Sequence, residues 1–260
     1  MTMKKIFAVL GAFDPEMQEI QRVLTDAGVP WAPARIRASR VKAHQAYDAD
    51  RLHAQIPAGH AILSVECAVR GLPADVQVDH HHPGDAGYGK GPEDYLAGSS
   101  LGQVLQLLGV EPTKRHRYVA AADHCLSAAY AGACPGIDPE ELRVFRKECK
   151  AEMRGIDPAE WDRQVEQAKR AILSAQHVYI GADKVAWFDE TAGDHVVPEL
   201  SEASAQLGLP FVTVRSARAD ARAKAGIYSA KPAVVTRWMD ICGLKDIYGD
   251  PARGFAGGYF

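Results

Sequence analysis

The chain carries no excess of either charge: 33 Asp and Glu stand against 30 Lys and Arg over 260 residues, a formal net charge of −3. Sequence-independent binding of long nucleic acid draws on many Lys and Arg contacts to phosphate, so no long nucleic acid is expected as a partner. Hydrophobic runs are short. None approaches the roughly 20 apolar residues that cross a bilayer, and no membrane partner is expected either. Cysteine is scarce: Cys67, Cys125, Cys134, Cys149 and Cys242 are odd in number, widely spaced and contain no Cys-x-x-Cys pair. That excludes a disulfide framework and a zinc knuckle, and fits reduced thiols in a cytoplasmic protein. A Walker loop, a Gly-x-Gly-x-x-Gly fingerprint and a Gly-x-Ser-x-Gly elbow are all missing, which removes their phosphate-cradling and nucleophilic chemistries. Gly84, Gly87, Gly89 and Gly91 are spaced as a loop and do not open a helix. No internal repeat or low-complexity tract is visible.

What is present is a folded globular composition, 47% hydrophobic and 24% charged, with ten histidines, three of them consecutive. Such a balance excludes a wholly disordered or collagen-like chain. Two lysines precede an apolar run at the start and imitate a secretory leader. The run is short, lacks a small-residue cleavage pattern and passes straight into Asp14-Pro15-Glu16, so residues 5–13 are expected as a buried strand. Asp14 as cap and Pro15 in the first turn then open a helix that runs through Met17, Ile20, Val23 and Leu24 to Gly28. A short strand is expected near residues 31–36, and two stronger ones, rich in β-branched residues, at 61–69 and 74–79. Leu101, Val104, Leu105 and Leu108 mark an amphipathic helix that ends at Gly109; Ser99-Ser100 is explained by its N-cap more simply than by a nucleophile.

Residues 118–130 lead into or form a further helix. Asp138 and Asp157 are clean helix starts, each with Glu three residues on, and the second helix aligns Trp161, Val165, Ala168 and Ile172. Strands at 177–180 and 184–188, a helix at 200–207 and a strand at 211–215 follow. The expected fold is α/β: a mostly parallel sheet flanked by helices, with a second, smaller α/β domain at the C-terminus. Its expected divisions are a metal-binding domain over residues 1–156, a connecting helix over 157–176 and a small substrate-binding domain over 177–260. The basic stretch Arg35, Arg37, Arg40, Lys42 and His44 is accounted for by a solvated face.

Chemistry concentrates at Asp79-His80-His81-His82, directly after an apolar strand. In open parallel sheets ligands bind beyond the carboxyl ends of the strands, and Asp with His supplies oxygen and nitrogen donors suited to Mn²⁺, Zn²⁺ or Fe²⁺. Comparable strand ends deliver Asp14 and Glu16, Glu66, and Asp123-His124. Each has a plainer explanation: a helix cap for Asp14, a buried pairing for Glu66, another cap for Asp123 and His124. Together they make the carboxylate-rich set that a two-metal centre needs to clamp a phosphoryl group and activate water. Cys67 and Cys125 neighbour these candidates, as packing residues or as thiolate ligands.

Val78-Asp79-His80-His81, followed about 20 residues later by Ser99-Ser100-Leu101 opening a helix and then by Ala121-Ala122-Asp123, resembles the DHH phosphoesterase superfamily. The resemblance spans roughly residues 5–130 in order and spacing. It implies a metal-dependent phosphoesterase that hydrolyses a small phosphorylated or nucleotide-like substrate with a metal-activated water, and Mn²⁺ first among the divalent ions, with Zn²⁺ and Fe²⁺ also suited. Asp79 would bridge two ions, and His80 and His81 would contact metal or phosphate, making Asp79, His80 and His81 the catalytic set. Asp14, Glu16, Glu66, Asp79, His81 and Asp123 would hold metal. The family's first motif, His-x-Asp-x-Asp, stands here as Gly11-Ala12-Phe13-Asp14-Pro15-Glu16, which keeps two carboxylates and lacks the histidine; His82 and His124 are candidate replacements. Members often carry a small second domain with a Gly-rich substrate loop, matched loosely by Arg253, Gly257 and Gly258, with Lys184, Arg215 and Arg218 as further contacts. Two alternatives stay open: a non-catalytic protein that binds a phospho-ligand or partner on this fold, and a different metal-dependent hydrolysis that uses the additional histidines.

Overall fold

The computed structural model describes residues 5–191, 197–217 and 222–260; Arg218 lies outside them. The chain divides into two compact units, one built from the residues up to Tyr88 with Leu96–Asp123, the other from Gly89–Tyr95 with His124–Phe260.

The first unit contains β1 (Ile6–Leu10), α1 (Pro15–Asp26), β2 (Trp31–Pro33), the short hairpin β3 (Arg35–Ile36) and β4 (Ser39–Arg40), β5 (Ala61–Val65), β6 (Val76–Val78), α2 (Tyr95–Gly98), α3 (Ser100–Leu108) and α4 (Lys114–His124). Phe7, Ala8, Val9 and Leu10 are all buried, the near-continuous apolar run of a strand covered on both faces. Four parallel strands lie in the order β2-β1-β5-β6. From β1 the chain moves outward to β2, then returns to the other side as β5. The order therefore reverses between β1 and β5, and the crevice beyond their carboxyl ends is where such sheets take ligands.

Local chemistry sets the flanking helices. Asp14 caps α1 by accepting the Met17 amide at 2.7 Å, Pro15 occupies the first turn, and Met17, Ile20, Val23 and Leu24 are buried. Ser99 caps α3 by accepting the Gly102 amide at 3.0 Å, and α3 stops at Gly109 in the left-handed conformation (φ 66°). Three expectations change. β1 ends at Leu10, β5 at Val65 and β6 at Val78, all short of the expected limits. In consequence Glu66 lies beyond its strand, at a positive φ of 50°. Asp123 and His124 stand on the last turn of α4 and not at a strand end, because Ala120, Ala121 and Ala122 extend the helix.

The second unit contains α5 (Leu126–Tyr130), α6 (Pro139–Arg154), α7 (Pro158–Ser174), β7 (Gln176–Ile180), β8 (Asp183–Asp189), α8 (Leu200–Leu207), β9 (Phe211–Arg215), β10 (Lys224–Tyr228), α9 (Pro232–Ile241), β11 (Lys245–Asp250) and β12 (Phe255–Tyr259). Its six-stranded sheet runs β11-β12-β10-β9-β8-β7, parallel only between β8 and β9. Asp138 and Asp157 cap α6 and α7 as their sequence indicates. The stripe of Trp161, Val165, Ala168 and Ile172 packs with Leu200, Ala203 and Phe211. This packing places α7 inside the second unit, so it is not a connector; the division falls between Asp123 and His124 and around residues 89–95, not at 156 and 176. The second unit is consequently no smaller than the first.

The glycine-rich C-terminus, expected as a substrate loop, is the internal strand β12 between β11 and β10. A Cβ on Gly258 would stand 2.8 Å from Leu244 Cβ, and one on Gly257 would stand 2.5 Å from the Tyr248 hydroxyl. Both glycines serve close packing. Arg253 donates its Nε to the His124 carbonyl at 3.0 Å and covers the Phe255 ring, Arg215 pairs with buried Glu190 at 2.6 Å, and Lys184 lies on β8. Among the described residues no helix is long and apolar enough to cross a membrane.

Candidate metal centre

The site begins where β1 and β5 end side by side. The Gly11 amide donates to the Val65 carbonyl at 3.0 Å, and a Cβ on Gly11 would lie only 2.4 Å from the Glu66 carbonyl oxygen. Only glycine fits there. Glu66 then takes a left-handed backbone, which strains a residue with a Cβ by about 1–2 kcal/mol, and its amide is held by the Val78 carbonyl at 3.0 Å. Strain of this kind persists where neighbouring structure over-determines it, commonly at functional sites.

His80 is the centre of the arrangement. Its ring is fully buried, with Nε2 3.3 Å from Glu66 Oε1 and 3.4 Å from Asp123 Oδ2. Gly87 makes this burial possible: a Cβ there would lie 1.9 Å from the Gly98 carbonyl oxygen and 2.6 Å from His80 Cβ. Glu16 is brought in from α1, and its Oε1 accepts the Leu101 amide in the first turn of α3 at 2.9 Å. Glu16, His80 and Asp123 each offer a donor atom within 4.8 Å of the others, as do Glu66, His80 and His81, and likewise Asp79, His82 and Asp85.

Asp79 sits at the turn itself, almost fully buried. It accepts the amides of His80 (2.8 Å) and His81 (3.1 Å), stands 2.9 Å from His81 Nδ1 and receives the Tyr47 hydroxyl at 2.9 Å. Asp85 closes the turn by accepting the amides of His81 at 3.0 Å and His82 at 2.7 Å. Tyr47 was not evident from sequence; it arrives from a short 3-10 helical segment, Ala43–Asp48, far from the histidines in the chain.

The electrostatics follow from crowding of acids away from water. Burial, then the charges of Asp123 and Glu66, push the Glu16 carboxyl well above its ordinary range. Burial pushes Glu66 in the same direction, but the His81 charge and the adjacent His80 outweigh it and hold that carboxyl below the ordinary range. Burial likewise opposes the Asp79 carboxylate, and the His81 hydrogen bond and charge overcome it. Among the described residues neither Glu16 nor Glu66 pairs with a lysine or arginine, and Glu66 Oε1 is closed off from water without a well-formed hydrogen bond. Buried charges are ordinarily paired or bound to metal. A divalent cation fits this set, and carboxylate oxygens with imidazole nitrogens suit Mn²⁺, Fe²⁺ or Zn²⁺.

Of the residues singled out from sequence, Glu16, Glu66, His80, His81 and Asp123 converge. Asp14 is occupied as the cap of α1 and belongs to none of the donor groups found among the described residues. His124 does not join them either; its Nε2 meets the Lys90 carbonyl at 3.0 Å. His82 is exposed and shares a donor group only with Asp79 and Asp85. Cys67 is packing: burial pushes its thiol up to about 11, away from thiolate chemistry. Cys125 packs its sulfur 3.2 Å from that of Cys134.

No family model and no curated protein matches the sequence. Among solved structures the chain is similar to one titled as the pGpG-specific phosphodiesterase PggH of Vibrio cholerae, at 11% identity and a TM-score of 0.42, over 98% of this chain and 92% of that one.

Proposed function

We propose that the first unit is a divalent-metal centre that hydrolyses a small phosphorylated or nucleotide-like substrate. The observation that carries this reading is the burial of Glu16 and Glu66 around His80, with half-buried Asp123 3.4 Å from the same ring and no lysine or arginine paired to Glu16 or Glu66 among the described residues. Glu16, Glu66, His80, His81 and Asp123 would hold the ion, Mn²⁺ first. When bound, such an ion supplies Lewis acidity toward a phosphoryl oxygen and a water more readily deprotonated than in bulk. The chain's own part is orientation. The first turn of α3 fixes Glu16, the strained Gly11–Glu66 junction aims the Glu66 carboxylate at His80, and the Asp79 turn sets the two rings nearly perpendicular, 4.5 Å apart.

The substrate class rests on the Asp79-His80-His81 resemblance, and small size rests on the balanced charge. The scarce, widely spaced cysteines, with no Cys-x-x-Cys pair, support a cytoplasmic location. A second reading, binding of a phospho-ligand without turnover, is favoured by one observation: Asp14, the surviving first-motif aspartate, is committed to capping α1. Incubating the Mn²⁺-loaded protein with a panel of phosphomonoesters and phosphodiesters separates the two. Hydrolysis that is lost in His80→Ala supports the first; saturable binding across the panel with no product supports the second.

A further inference from the structure

Asp79 heads the histidine run and is the residue expected to bridge two ions. Its surroundings assign it another task. A carboxylate offers about four lone-pair positions. Asp79 Oδ1 takes the amides of His80 and His81 and stands 2.9 Å from His81 Nδ1, while Oδ2 takes the Tyr47 hydroxyl at 2.9 Å and Gln77 Nε2 at 3.4 Å. Neither donor group that contains His80 includes Asp79. Turning Oδ1 toward an ion would abandon two amides in the interior of the turn, and turning Oδ2 would give up the Tyr47 hydroxyl.

We propose that Asp79 is a positioning residue and not an ion ligand: it keeps His81 protonated at Nδ1, leaving Nε2 to ligate, and the Tyr47 hydroxyl locks Asp79 in that orientation. Histidines that bind metal recurrently give their other ring nitrogen to a carboxylate, and loss of that outer partner typically weakens metal binding about 10–100-fold without removing the site. Tyr47 reinforces the lock through a second contact, at 3.2 Å to Oδ1, and by setting its ring edge against His82 at 4.5 Å. The inference rests on the metal reading of the site.

The test compares wild type, Asp79→Asn and Tyr47→Phe in two ways: calorimetric titration with Mn²⁺ and ¹⁵N spectra of the histidine rings without metal. The expected result is unchanged stoichiometry in both variants with affinity about 10–100-fold weaker, and, at a pH where the ring is neutral, a wild-type His81 held as the Nδ1–H tautomer that becomes mixed in both. Loss of an ion from the stoichiometry of Asp79→Asn would mark a direct ligand and overturn the proposal. Affinity and spectrum of Tyr47→Phe identical to wild type would overturn the role of Tyr47. Wild type that takes up no ion while His81 stays Nδ1-protonated would overturn the metal reading and the ligand role of His81, leaving only the Asp79–His81 orientation. Tyr47→Phe removes a single oxygen, so the comparison survives if Asp79→Asn fails to fold.

Discussion

The Leu101 amide donates to Glu16 Oε1 at 2.9 Å, so the opening turn of α3 holds a carboxylate supplied by α1. An amide near a helix N-terminus has no partner within its own helix, and a buried carboxylate there both satisfies it and gains from the helix dipole. One side chain thereby joins two helices and faces the candidate metal centre.

Exchanging that side chain separates its two roles. Glu16→Gln keeps the acceptor for Leu101 and loses the charge; metal-free stability is expected within about 1 kcal/mol of wild type, with ion binding strongly weakened. Glu16→Ala strands the amide as well, and a buried unsatisfied donor costs about 1–3 kcal/mol. Urea denaturation in the presence of a chelator, beside calorimetric titration with Mn²⁺, measures both. Equal stability of the two variants would remove the structural role of the Leu101 contact.

At the strained junction the expected signs oppose each other. Glu66→Gly releases a left-handed backbone, so the metal-free protein is expected to hold or gain up to about 1–2 kcal/mol while ion affinity falls. Gly11→Ala forces a methyl group to within 2.4 Å of the Glu66 carbonyl oxygen, and overpacking of this kind costs about 1–3 kcal/mol. A Glu66→Gly protein that is clearly less stable than wild type without metal would show that the junction is held for packing alone.

In the second unit, Arg146 Nε stands 2.7 Å from Glu202 Oε2, and Tyr130 donates to the other oxygen. Burial raises the Glu202 carboxyl, but the Arg146 charge and the Tyr130 hydrogen bond prevail and hold it below its ordinary value of 4.5. A depressed folded value stabilises the protein above the unfolded value. That contribution is complete above pH 4.5 and is lost as the pH falls through the depressed folded value. Glu202→Gln is therefore expected to flatten the fall in stability below pH 4.5, read from urea midpoints at stepped pH. Arg146→Ala leaves the buried carboxylate without its cationic partner and is expected to cost about 3–5 kcal/mol at neutral pH.

The features legible in the sequence were those set by neighbours in the chain. Asp14-Pro15, Ser99 and Asp138-Pro139 announce helix starts because capping is decided within one turn, and Leu101, Val104 and Leu105 show the buried face of α3 directly. The Asp79-His80-His81 run is likewise a local signal for the candidate site, whereas Asp123 was indicated by the resemblance and reaches His80 from a distant helix. What stayed hidden depends on partners distant in sequence. Tyr47 meets Asp79 across 32 residues, and the backbone of Glu66 is bent by the nearby end of β1. β12 is not legible in the sequence because Gly257 and Gly258 carry the signal of a loop, while its strand character comes from pairing with β10 and β11 on either side. The stripe on α7 was plain, but not the sheet against which it packs.

Titration of the chelator-treated protein with Mn²⁺, in wild type and in Glu66→Gln and His80→Ala, tests the central claim most directly. The account predicts saturable binding at a defined stoichiometry in wild type and, in each variant, a loss of affinity larger than the about 10–100-fold typical of losing an outer partner, since each removes a donor to the same ion. Wild-type protein that takes up no divalent ion, or variants that bind as tightly as wild type, would contradict it.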